Sequence, residues 1–293
     1  MGTVMARWRP RRTMRIHSRW HDSPGPSVAW KRHLPQGLPC QLNDHWSFLH
    51  RHCADYSSHL RIGRLLHRLA HHDIGVQESA LAELELATQL IRVGLRVTFL
   101  PESQARTADL ECRVGSERFF VEVTAMVGSA ERQRLPVRGI MMDEEPGDET
   151  NRGTILTHRI LARIRQKAKQ LTDYCDPVIL SISIPRADLR GGRQGRPEQI
   201  RMDVKALAGS VTVDLTKLPH LSAVLISLWD VEPLPARAAL RLANVEIIER
   251  TKHQPTHPRV RMLIQNPNAS APLYESHDAP CTNRSAHQAP RSL

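Results

Sequence analysis

Apolar residues recur at helical spacing along residues 44–70 (Trp46, Leu49, Leu60, Ile62, Leu65, Leu66 and Leu69), and the pattern predicts one or two helices there. Asp73-Ile74-Gly75 breaks it, and a stronger helical pattern follows over 78–93 until Gly94 stops it in the manner of a C-cap. Three short strands are expected next, at 95–100, 108–114 and 118–125, with Gly115-Ser116 as the turn between the last two. A long polar loop over 128–153 carries the acidic run Asp143-Glu144-Glu145 with Asp148 and Glu149. A long helix is then expected over about 154–174, and the apolar run 178–184, preceded by Pro177, reads as a buried strand. Beyond a Gly/Arg/Pro loop at 186–200, residues 202–208 suit a short helix, 222–229 an apolar strand, and 245–248 with 260–264 a strand pair. Helix, three strands, helix, strand is the order of an α/β protein with helices flanking a central mixed sheet.

The two ends lack this periodicity. Residues 1–42 read as a disordered basic leader, 43–73 as a helical extension, 74–265 as the main domain, and 266–293, rich in Pro, Ser, Ala and His, as a disordered tail. The chain has 293 residues and a formal charge of +11. Residues 1–35 hold eight basic residues against Asp22 alone, a charge of +7 that leaves +4 for the rest. Basicity favours an acidic partner, nucleic acid first, but it is mostly a property of the leader. Arg11-Arg12 is a twin arginine with no apolar segment behind it, and Met1-Gly2 lacks the Ser or Thr that a myristoylation start wants at Ala6. No apolar run is long enough to span a membrane. Five scattered cysteines without a C-x-x-C suit reduced thiols in the cytoplasm. The histidines over 45–72, including His50-Arg51-His52-Cys53, lack the paired spacing of a zinc site.

Three acidic residues stand out. Asp109 opens the second expected strand, Glu122 lies inside the third, and adjacent antiparallel strands can bring the two side by side. Carboxylate oxygens converging in this way suit Mg²⁺, which binds one or two carboxylates together with waters and a substrate phosphate. On the preceding helix, with Leu81 at zero, Leu84, Leu86, Ala87, Leu90, Ile91 and Val93 centre near about 210°. Glu83 then falls at about 200°, inside the apolar face, and Glu85 at about 40°, on the expected solvent side. An ionised glutamate aimed at a core is costly unless paired or bound to a metal.

Glu83-Leu84-Glu85-Leu86-Ala87, Leu90, Gly94, Asp109-Leu110 and Phe120-Val121-Glu122-Val123-Thr124 together resemble the PD-(D/E)xK, restriction-endonuclease-like nucleases over about 45 residues plus the following helix and strand. The resemblance implies a restriction-endonuclease-like core and Mg²⁺ (or Mn²⁺) held by Asp109, Glu122 and the backbone carbonyl of Val123. It further implies Glu83 as an assisting acid and DNA as substrate, with a homodimer as the assembly that cuts two strands. The family's lysine, two residues after the strand acid, is Thr124 here. In some members of that family the next helix supplies the lysine. With Ile155 at zero, its apolar face centres near about 170°, Lys167 lies at about 120° and Lys169 at about 320°. Lys167 is therefore the expected substitute, and the expected catalytic set is Glu83, Asp109, Glu122 and Lys167. Arg186, Arg190, Arg193 and Arg196 are candidates for phosphate contacts. Thr124 keeps open the alternative of a catalytically inactive domain of the same fold that binds nucleic acid or protein. The glycine and nucleophile motifs of Rossmann, P-loop and α/β-hydrolase enzymes are absent.

Overall fold

The computed structural model describes residues 38–71, 73–102, 108–126, 149–184, 200–234, 242–251 and 257–273. Its elements are α1 (Leu38–His52), α2 (Tyr56–Leu69), α3 (Ile74–Arg92), β1 (Arg96–Phe99), β2 (Leu110–Val114), β3 (Glu117–Ala125), α4 (Glu149–Ala168), β4 (Val178–Ile184), β5 (Ile200–Met202), α5 (Val204–Leu215), β6 (Ala223–Leu228), β7 (Val231–Pro233), β8 (Val245–Glu249) and β9 (Val260–Gln265). Three helices begin on an aspartate that accepts from orphan backbone N–H groups: Asp55 from Ser58, Asp73 from Gly75 and Val76, and Asp203 from Lys205 and Ala206. Asp73, which interrupts the apolar pattern, is thus the start signal of α3. At its other end Gly94 takes φ 100°, a conformation that costs glycine nothing, and the chain turns into β1.

Seven strands form one mixed sheet in the order β1-β2-β3-β4-β6-β9-β8. β1, β2 and β3 are an antiparallel meander, β3, β4 and β6 run parallel, and β9 and β8 close the far side antiparallel. Alternation along β3 divides the core between two faces. Val121, Val123 and Ala125 pack with α1, α2 and α3, whereas Phe120 packs with Ile160 and Ile164 of α4 and Leu207 and Val211 of α5. The result is the expected sandwich of helices on a mixed sheet.

Five features differ from expectation. α1 begins at Leu38, inside the segment expected to be a disordered leader. Residues 80–90 of α3 are buried on every side, because α1 and α2 cover the face turned away from the sheet. Glu85, expected in solvent, is accordingly only 7% exposed. α4 begins at Glu149, inside the segment expected as a polar loop, and ends at Ala168, earlier than expected, where Gln170 N–H donates to Lys167 O and Leu171 N–H to Ala168 O in a tightened final turn. β5 and β7 form a small parallel sheet that apolar periodicity does not announce. It packs on α4 at Gly153, where a Cβ would collide with the Arg201 carbonyl. Finally, residues 266–273, assigned to the tail by composition, pack on the domain. Asn266 donates to the carbonyls of Leu218 and Leu221 at 2.9 and 2.8 Å, and Ser222 Oγ donates to Ala271 O at 2.5 Å. Among the described residues, no helix is long and apolar enough to cross a membrane.

Candidate active site

The β2–β3 register places Leu110 opposite Val121, so the next pair outward is Asp109 and Glu122. Asp109 N–H still donates to Val121 O at 3.0 Å, but beyond it β2 has ended. The Asp109 side chain takes over as partner of β3: its Oδ2 accepts from Val123 N–H at 2.8 Å. In an extended strand the N–H and C=O of one residue point to the same side, so the Val123 carbonyl faces this gap as well. Asp109 therefore sits where two strands part, within reach of both sheet faces.

Each face brings a charge to that gap. From the α4 face, Lys167 Nζ donates to Glu122 Oε1 at 2.6 Å, with the Lys167 side chain 21% exposed. This is the lysine that the helical wheel selects, and Lys169 is exposed as expected. From the α3 face comes Glu83, 2% exposed. Its partner is one that sequence reasoning missed. Arg61 of α2 places Nη2 at 2.9 Å from both Glu83 Oε2 and Asp109 Oδ1, and its Nη1 pairs with Glu102. Arg68, two turns along α2, reaches Glu83 Oε1 and Glu102 Oε1 at 3.4 Å each. The signal for Arg61 was present: Ser58, Arg61, Ile62, Leu65, Leu66 and Leu69 are the buried residues of α2, and their spacing is a helical stripe with an arginine in it. The expected helical extension thus supplies two of the site's cations.

Thr124, at the position of the family's lysine, is 4% exposed and lies on the same face of β3 as Glu122. The expected phosphate-binding residues Arg186, Arg190, Arg193 and Arg196 lie outside the described residues. Arg163, one turn before Lys167 on α4, donates to Ala125 O at 3.4 Å and so lines the same end of β3.

Burial, then the charge of Asp109, pushes the Glu122 carboxyl up to about 7 against the pull of Lys167. Burial likewise raises Asp109, and burial with the Asp109 charge raises Glu83, although Arg61 and Arg68 oppose both shifts. When protonated, the Glu122 carboxyl donates to Asp109. Two carboxylates crowded together and short of solvent form a hard-oxygen donor pair that a divalent cation would relieve, so the residues fit Mg²⁺ or Mn²⁺. Among the described residues no group of three or more His, Cys, Asp or Glu side chains forms a ready metal cage, and Mg²⁺ does not require one.

The direction of these shifts fixes a stability profile. Glu122 has an ordinary value of 4.5 and is raised in the folded protein, so the folded state holds a proton that the unfolded chain has released. Its contribution is fully present below about pH 4.5 and is lost as pH rises through 7, by at most about 3 kcal/mol. In metal-free buffer the melting temperature should fall between pH 5 and pH 8, and Glu122→Gln should flatten the fall. Parallel profiles for the two proteins would show that the crowding at Glu122 is absent.

No protein-family model, no curated protein and no solved structure matches this chain.

Proposed function

We propose that the chain is a metal-dependent nuclease with a restriction-endonuclease-like core, hydrolysing phosphodiester bonds of DNA. The observation that carries this reading is the meeting of Asp109, Glu122 and Lys167, from three separate segments, at the point where β2 and β3 part. Asp109, Glu122 and the Val123 carbonyl would hold Mg²⁺ or Mn²⁺. When bound, the ion supplies an acidified water and neutralises charge developing on the phosphate. Lys167, held on Glu122, orients the attacking water and offsets charge on the phosphoryl oxygens. Arg61 and Glu83 hold Asp109 in place. Arg186, Arg190, Arg193 and Arg196 contact backbone phosphates in this reading, two copies of the chain act together to cut both strands, and the protein works in the cytoplasm.

Thr124 favours a second reading, a catalytically inactive domain of the same fold that binds nucleic acid or protein. One experiment separates the two: incubation of mixed DNA and RNA substrates with Mg²⁺ or Mn²⁺, for the parent, Asp109→Ala and Glu122→Ala. Cleavage of DNA by the parent should disappear in both variants and in EDTA. A parent that cuts neither DNA nor RNA, yet binds DNA with an affinity that falls steeply with salt, would overturn the nuclease reading in favour of the second.

A further inference from the structure

We infer that Arg61 stands where a second cation would otherwise sit, so that the site takes one divalent ion, between Asp109 and Glu122, and Glu83 is a positioning residue that does not ligate it. The inference rests on the nuclease reading above and concerns how many ions that site accepts and through which residues.

Both Glu83 oxygens are already engaged, Oε2 by Arg61 at 2.9 Å and Oε1 by Arg68 at 3.4 Å. Arg61 Nη2 lies at 2.9 Å from Glu83 and at 2.9 Å from Asp109, ordinary hydrogen-bond lengths to both. A single guanidinium nitrogen therefore bridges the two carboxylates, in the position a bridging metal would need.

The side chain cannot easily swing away. Arg61 is 4% exposed, on a helix whose Ile62, Leu65, Leu66 and Leu69 are packed in the core. α2 is also tied to the sheet next to Asp109, since Ser58 Oγ accepts from Phe99 N–H at 2.8 Å and Asp55 caps its start. A divalent ion between Glu83 and Asp109 would meet a fixed positive charge in a low-dielectric setting. The opposite flank differs. There Asp109 meets Glu122, the Val123 carbonyl faces the gap, and the cation is Lys167, a partly exposed ammonium on a flexible stem that can shift as an ion enters.

The test is Mn²⁺ binding to the chelator-treated full chain, followed by the electron paramagnetic resonance signal of free Mn²⁺, with no substrate present. The parent should take up one ion per chain. Glu83→Gln should also take up one ion per chain. Asp109→Ala should bind none, and Arg61→Met, which uncovers Glu83, should bind two. Two ions in the parent, or loss of binding in Glu83→Gln, would overturn the inference while leaving the nuclease reading intact. A folded Arg61→Met that still takes one ion would do the same. A parent that binds no Mn²⁺ would overturn the nuclease reading and this inference together. Should Arg61→Met not fold, the parent stoichiometry and Glu83→Gln decide.

Discussion

Lys167→Ala should lower the rate of DNA cleavage by roughly 10²- to 10⁴-fold, the range for removing a positioned proton-transfer or charge-stabilising group. The fold should survive. Glu122 loses its partner, but its carboxyl already sits near 7 and can take a proton instead of standing as an unpaired buried charge. Thr124 offers a way back. It lies on the same face of β3 as Glu122, two residues on, so Thr124→Lys in the Lys167→Ala background would return an ammonium to the same carboxylate. Recovery of at least about tenfold is expected, measured as initial rates on a linear DNA with Mg²⁺. If Lys167→Ala cleaves as fast as the parent, the lysine is a solvated helix residue whose contact with Glu122 has no catalytic use.

The second large effect is on stability. Arg61→Met removes a buried cation and leaves Glu83 and Asp109 facing each other, with Arg68 too distant to hold both. Breaking a buried ion pair from one side costs about 3–5 kcal/mol where the stranded carboxylates stay ionised, so above about pH 8, to which burial and the Asp109 charge raise Glu83, the melting temperature should fall by on the order of 10 °C. Arg61→Met with Glu83→Gln should recover part of that loss, because the double change also removes one of the stranded charges. Scanning calorimetry of the two variants and the parent checks both statements. A loss of less than about 2 °C in the single variant would mean that water already screens the network and that Arg61 counts for little.

The sheet and its helices were legible because their signals are local. Short apolar stretches bounded by a polar loop and the Gly115-Ser116 turn marked β1, β2 and β3, the apolar runs marked β4 and β6, and Gly94 marked the end of α3. The inward aim of Glu83 followed from the wheel, as did that of Lys167. What failed was the assumption behind the wheel. A helix with one buried face has a solvent side, and α3 has none over residues 80–90, so Glu85 went from an expected surface residue to a buried one. The layer responsible is α1 and α2, which sequence reasoning had set apart as an extension. The same separation hid Arg61: its stripe was readable, but nothing local says that Glu83, 22 positions on, and Asp109, 48 positions on, would meet it. β5 and β7 are three residues each, too short for any period to register.

The strand order carries a consequence for how the chain acquires this structure during synthesis. β9, formed by residues 260–265, lies inside the sheet between β6 and β8. Until the ribosome has released it, β6 presents one bare edge whose six residues are all of the buried kind, and such an edge recruits strands from other molecules. The contact between Arg261 and Gln89 spans 172 positions, so this link between α3 and β9 forms only once residue 261 has been made. Folding of this sheet is therefore completed only once residues 260–265 have left the ribosome, through slow, long-range pairing. A nascent chain stalled before residue 260 would be a sticky intermediate, best kept apart from its neighbours by a chaperone.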